Sequence, residues 1–391
     1  MSQQAGPGTP PDLPFALDEY QARLAGVRAG MGAQGLDALL LHAPENIFYL
    51  SGHQTLGYIA YQCLVVPLRG APALVTRALM GPVVRAGSWV REWRGYEDDQ
   101  EPVAATAAAV REAGLARGRL GIERNGWFCT AAQQERLRAL LPEARFAEGG
   151  GIVESRRLVK SKAELARIRQ AARLAASALQ AGLEAAKVGV TEDRVAAAIM
   201  AASIEAGSEY LGHPPLIASG PRTALPFATW SGRVLQAGEP LFLEVGGCVG
   251  RYHAAVMRTA HLGPAPTRLQ QLLAASRAGV TAALAAMRPG TPSGEVDRAC
   301  REAVAAAGFG HCFHHRSGYS IGIGFPPDWG EGRLLSLRPM DPTPLQAGMV
   351  VHVVPFLSVE GEVGCAVSET VLVTETGAER LTDVPQELFI R

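Results

Sequence analysis

The chain has no excess of charge: 37 lysines and arginines balance 37 aspartates and glutamates. Nucleic acids and anionic membranes are held by clustered positive charge, so neither is expected as the main partner. Long apolar runs are also missing. No stretch approaches the roughly 18–20 residues needed to cross a bilayer. The start, "MSQQAGPGTPPDLPFAL", is polar and rich in proline and glycine. It lacks the basic end and apolar centre of a secretory signal, and residues 1–16 read as a loose, disordered tail. Six cysteines, at 63, 129, 248, 300, 312 and 365, include no CxxC pair. In so long a chain they read as reduced thiols rather than a disulfide framework. These absences point to a cytoplasmic protein with a small-molecule partner.

What is present is apolar material and alternation. With 391 residues, 48% of them hydrophobic, the chain can build two domains of ordinary size. Between 17 and 160, helical patterns ("LDEYQARLAGVRAGMGAQG", "EPVAATAAAVREAGLARG", "TAAQQERLRALLPEA") alternate with strand patterns ("LDALLLHA", "YQCLVVPL", "RLGIE"), which predicts an α/β layer. "ESRRLVKSKAELARIRQAARLAASALQAGLEAA" then reads as a charged connector and a long helix, placing the domain boundary at 160/161. Residues 161–391 repeat themselves. "KVGVTEDRV" (187–195) resembles "RPGTPSGEV" (288–296), and "LQAGEPLFLEV" (235–245) resembles "LQAGMVVHVVP" (345–355). In each copy an Ala-rich helix ends at glycine and a second helix starts after a threonine cap, Thr191 or Thr291, the latter followed by Pro292. Two blocks in the same order imply duplication. Two such halves, facing each other, are expected to leave a cleft between their sheets.

One stretch carries the chemical question. "LFLEVGGCVGRYHAAVMRTAHLG" (241–263) places an acid, Glu244, inside an apolar strand, while the following stretch offers Ala254 and Ala255. A carboxylate buried there is costly unless it is protonated or held by a donor, for which Arg258 and His253 are the nearest candidates in sequence.

"LDALLLHAPENIFYLSG", "PPLIASGPRTALP", "LFLEVGGCVGRYHAAVMRT", "HHRSGYSIGIGF", "LQAGMVVHVVP" and "VSETVLVTETG" together resemble the pita-bread family of prolidase, proline aminopeptidase, methionine aminopeptidase and creatinase. The resemblance covers nearly the whole chain. It implies an α/β creatinase-like N-terminal domain, an α+β pita-bread C-terminal domain with duplicated halves, and a homodimer. The family's peptidases hold two metal ions with two Asp, one His and two Glu. Carried over position by position, these fall on Glu244, Ala255, Tyr319, Val354 and Ser368, so one ligand of five survives. Metal sites stand or fall on ligand count and type, and the resemblance therefore implies no metal and no cofactor here.

Creatinase and ectoine hydrolase are metal-free members that cleave C–N bonds in small nitrogen-rich solutes. "GYSIGIGFPPDWGEGRLLSLRPMDPTPLQAGMVVHVVP" is most similar to the ectoine-hydrolase branch, which also has Glu at the first-ligand position. By this resemblance Glu244 acts as nucleophile or as general base, and His315 contacts substrate. Tyr319 could donate to a developing oxyanion. His253, Arg258, His352 and Asp328 are candidate substrate-binding residues, with Trp329 an aromatic face for a cation. Where the family usually carries a substrate histidine after "ASGP", this chain has Phe227, and a substitute is sought among His315, His314, His352 and His253. Arg222 is a candidate for a carboxylate, whereas alternation points Glu369 away from the cleft. A prolidase-like peptidase and a non-catalytic binding homologue are the other readings.

Overall fold

The computed structural model describes residues 10–391. The chain forms two compact units divided between Arg157 and Leu158. The division comes slightly ahead of the expected one because "ESRRL", read as a connector, is itself part of a short helix. The tail expectation is corrected from Pro10 onward; its first nine residues lie outside the described ones. The Asp12 amide donates to Ala86 O, and Phe15 is buried with the Arg23 guanidinium 4.3 Å from its ring centroid. An aromatic ring with a cationic partner anchors a segment that its Pro/Gly content alone suggests is loose.

The N-terminal unit comprises α1 (Leu17–Ala33), β1 (Ala38–Leu41), α2 (Pro44–Ser51), β2 (Cys63–Pro67), β3 (Ala73–Arg77), α3 (Gly81–Gly87), β4 (Glu92–Tyr96), α4 (Pro102–Glu112), β5 (Arg119–Ile122), α5 (Ala131–Leu140), β6 (Arg145–Glu148) and α6 (Ile152–Leu158). Its sheet runs β4-β3-β2-β1-β5-β6. Leu40, Val65, Val75, Leu120 and Ile122 from the strands meet Val103, Ala107, Val110 and Leu137 from α4 and α5 in one core, the layered packing that alternation predicts.

The C-terminal unit opens with α7 (Lys162–Ala185), capped by Ser161 and Glu164 in a reciprocal box. It continues through α8 (Glu192–Glu205), β7 (Leu216–Ser219), β8 (Pro240–Val249), β9 (Tyr252–His261), α9 (Thr267–Ala286) and α10 (Ser293–Ala306). Then come β10 (Gly318–Phe325), β11 (Asp328–Gly330), β12 (Ser336–Leu337), β13 (Val350–Val353), β14 (Leu357–Val359), β15 (Val363–Cys365), β16 (Glu369–Val373), β17 (Ala378–Arg380) and β18 (Phe389–Ile390). Duplication is visible bond by bond. Gly189 N–H donates to Leu235 O and Gly290 N–H to Leu345 O; Glu192 N–H donates to Arg233 O and Ser293 N–H to Thr343 O. One detail differs: Thr191 caps α8, but the cap of α10 falls on Pro292, with no side-chain bond.

The two halves do not present separate facing sheets. Their strands join in one path, β17-β16-β13-β10-β9-β8-β7, and β9 meets β10 at Tyr252–Ile323. One face of the strands packs on helices. Leu241, Leu243, Val245 and Val256 lie against α7 and α8, and Val351, Val353, Val371 and Val373 against α9 and α10. The alternate residues face the other way, and that second face carries the site. No helix among the described residues is long and apolar enough to cross a membrane. The six cysteines are all free and buried.

Candidate active site

Antiparallel pairing of β8 with β9 sets Glu244 opposite Met257 and Gly246 opposite Ala255. The two glycines after Glu244 serve opposite faces. A Cβ on Gly247 would lie 2.2 Å from Ala171 O, in the backbone of α7; one on Gly246 would lie 2.6 Å from the Trp329 ring. Glycine thus lets the helix approach from one side and the indole from the other.

Leu216, Phe242, Met257, Val354 and Ala366 form an apolar cluster on the Glu244 face, with Tyr319 and Phe356 against it. Glu244 itself is 4% exposed. Among the described residues no group hydrogen-bonds to its carboxyl. Burial, assisted by the charge of Asp328, pushes its pKa up to about 8, so the protonated acid is favoured near neutral pH. The expected donors are elsewhere. Arg258 lies on the opposite face, where its guanidinium bonds Glu369, Met257 O, Ser368 O, Val384 O and Pro385 O. His253 accepts from Gly212 N–H at Nε2 and donates from Nδ1 to Arg251 O. Neither reaches the Glu244 carboxyl: Arg258 is on the other face, and His253, whose strand position shares the Glu244 face, has both ring nitrogens bonded to the backbone.

Beside Glu244, four side chains are knitted together. Trp329 Nε1–H donates to Tyr319 Oη at 3.2 Å, Tyr319 Oη and His352 Nδ1 share a 3.0 Å bond, and His352 Nε2 and Ser368 Oγ share one of 2.7 Å. Ser368 Oγ also accepts from Met257 N–H. His352 is fully buried, and burial holds its pKa down to about 3; it is a neutral imidazole with one proton to place. When Nε2 carries that proton, Tyr319 donates to Nδ1. When Nδ1 carries it, Ser368 donates to Nε2 and the phenol proton is free for a group in the pocket. Ala255 is tied through its amide and carbonyl to Thr370 Oγ1.

Several expectations are corrected here. Trp329 is 0% exposed: it is a strand residue over Gly246, not an open aromatic face. Glu331 is buried in an ion pair with Lys160, 2.7 Å from Nζ, which also reaches Ser320 Oγ. This pair fastens β11 and so fixes Trp329. Phe227 is 83% exposed with φ of 59° and is absent from the apolar cluster. Arg222 bonds Glu192 and Thr229 O. His314 is exposed. His315 is half-buried between Phe313 and Phe356, and burial brings its pKa down to about 4. It therefore borders the cluster through Phe356, whose ring meets Phe242. Asp328 is exposed, accepts from Gly330 N–H, and raises the pKa of Glu244, Tyr319 and His213 by its charge.

Sequence reasoning passed over His213. It stands just ahead of the "PPLIASGP" stretch, and its ring stacks on Trp329 with centroids 3.4 Å apart. Its one sequence signal is a histidine before a proline pair, next to a motif that forms β7, whose Leu216 pairs with Glu244.

The fold and site define a two-domain pita-bread hydrolase scaffold in which Glu244 is buried against an apolar cluster. Residues 23–159 match the creatinase/prolidase N-terminal domain and residues 166–375 the metallopeptidase family M24. The chain is 32% identical to ectoine hydrolase of Halomonas elongata, over 97% of this chain and 99% of that one. In structure it is similar to dipeptidase PepE of Mycobacterium ulcerans (TM-score 0.84, 26% identity, 96% and 99% coverage). It is also similar to a prolidase of Thermococcus sibiricus (TM-score 0.85, 22% identity, 96% and 100% coverage). The chain belongs to the M24 family, with a creatinase-type N-terminal domain. The family's pair of divalent ions does not fit the residues present. Ala255 and Val354 have no donor atom, Tyr319 and Ser368 are engaged with His352, and no group of three or more His, Cys, Asp or Glu converges among the described residues.

Proposed function

We propose that this protein hydrolyses a C–N bond in a small amidine- or amide-type solute, without a metal ion, using Glu244 as the nucleophile. The observation that carries this reading is Glu244 itself: buried against an apolar cluster and without a hydrogen-bond donor among the described residues, surroundings that favour its neutral form. A pocket of that kind favours a cationic, amidinium-like group, whose charge would ionise the acid on binding. The Glu244 oxygen then attacks the carbon, and Tyr319 donates to the oxygen or nitrogen on which charge develops. The ectoine hydrolase relative supports the substrate class, and the balanced charge and free cysteines support a cytoplasmic setting with a small-molecule partner.

Turnover of ectoine and of creatine, beside Xaa-Pro dipeptides, tests the reading, together with elemental analysis for metals. Ectoine or creatine cleavage undiminished by EDTA is expected, at less than about 0.1 metal ion per chain. One to two metals per chain with dipeptide cleavage would establish the prolidase-like alternative instead. Rapid quench of a single turnover followed by peptide mass analysis separates the two roles: an acyl group on the Glu244 peptide marks direct attack, and turnover with no such adduct marks Glu244 as general base. The exposed Phe227, at the place of the family's usual substrate histidine, favours a second reading, a binding homologue without turnover. Tight binding with no cleavage, unchanged in Glu244→Gln, would establish that one.

A further inference from the structure

We propose that His213 is the proton-transfer group of the Glu244 site. This rests on the hydrolase reading above and assigns a residue to the step that reading leaves open. His213 Nδ1 lies 2.8 Å from Pro214 O. A carbonyl only accepts, so the hydrogen sits on Nδ1 and Nε2 carries a lone pair. Among the described residues nothing hydrogen-bonds to Nε2. The ring is half-buried, so it is reachable and yet held in place on Trp329. That indole lies over Gly246, on the same strand face as Glu244, and donates to Tyr319.

The charge of Asp328 acts on Glu244, Tyr319 and His213 alike, which ties the three to one site. The other histidines near it are occupied or walled in. His253 and His352 have both ring nitrogens hydrogen-bonded, and His315 lies between two phenyl rings. The titratable groups around His213 are Asp328, His253 and His352, the last two neutral through burial. Burial likewise lowers the pKa of His213 from its ordinary value, so at neutral pH its Nε2 is an available base.

The step balances as follows for an amide. Glu244 begins protonated. Its proton passes to His213 Nε2 as its oxygen bonds to the carbonyl carbon. The C–N bond breaks, and the imidazolium gives that proton to the leaving nitrogen. Water then attacks the acyl carbon, its hydroxyl joining the acyl group and its proton going to Nε2. The acid product departs, and Nε2 returns the proton to Glu244.

The test uses His213→Asn, which can keep the bond to Pro214 O but has no base at the Nε2 position, and His213→Ala with added imidazole. Each is compared with wild type on the panel substrate it cleaves. The expected result for His213→Asn is a kcat lower by about 100-fold or more, with KM within about threefold, an unchanged melting temperature, and no acid limb in the pH profile. His213→Ala should recover with imidazole. Wild-type kcat in a folded His213→Asn protein would overturn the proposal while leaving the hydrolase reading intact. Wild-type turnover of none of the panel would overturn both. Should the variants fail to fold, carbethoxylation of the wild type decides: loss of turnover in step with labelling of His213 supports the proposal, and full turnover of labelled protein overturns it.

Discussion

A buried carboxyl is stable only as an acid, as half of an ion pair, or under hydrogen-bond donors, and Glu244 takes the first course. Its folded pKa, about 8, stands above the ordinary 4.5. The folded chain therefore holds this proton longer than the unfolded one. The stability it contributes is complete below about pH 4.5, declines as pH rises, and is gone once pH passes about 8. Glu244→Gln should flatten the fall in melting temperature between pH 5 and 8, measured by scanning calorimetry, while lowering kcat by at least about 100-fold. A variant melting curve that keeps the wild-type pH slope would contradict the placement of the charge. Tyr319→Phe strips a partner from Trp329 Nε1 and from His352 Nδ1. A loss of about 1–3 kcal/mol in urea unfolding is expected, with reduced turnover and little change in substrate affinity.

At the scale of elements, the site is a strand pair with a loop strand laid over it. The single acid in the otherwise apolar run of β8 marks Glu244 in the sequence, and the two glycines that follow it are plain there too. What approaches them is not legible, because Ala171 and Trp329 are distant in sequence from residues 246 and 247. Gly246→Ala would drive a methyl into the indole. It should cost about 1–3 kcal/mol of stability and shift the Trp329 fluorescence, read against Trp329→Phe as a blank. The same distance problem hides the fastening of β11. Lys160 looks like one cation in a charged connector, yet it is buried with Glu331, both side chains 1% exposed. Lys160→Met leaves a buried charge without its partner and should cost about 3–5 kcal/mol, far more than a surface Lys→Met. A denaturant midpoint equal to wild type would show that the pair does not hold this element.

For the whole molecule, the N-terminal unit exposes Leu56, Ile59, Leu79 and Trp127. Tyr58 and Trp127 both meet Phe128, and Gly57 lies against Met80, which links the three segments that carry these exposed side chains, and clustered exposed apolar side chains mark contact surfaces. We propose that this cluster contributes to a homodimer. Light scattering should give twice the chain mass, and Ile59→Asp with Trp127→Asp should shift the mass toward the monomer; a wild-type monomer would refute this. Local and periodic information was enough for much of the chain: helices and strands follow from hydrophobic spacing, and the repeat from two matched blocks. Spatial information was not. The sequence offered Arg258 and His253 as partners of Glu244 because they are close along the chain, but strand alternation sends Arg258 through the sheet and Gly212 takes up His253. His213 went unweighed because its neighbour Trp329 is brought to it only by the pairing of β11 with β10. The order of residues determined which chemistry the chain can contain; folding decided which groups meet, since contacts across a sheet join residues with no relation in sequence distance.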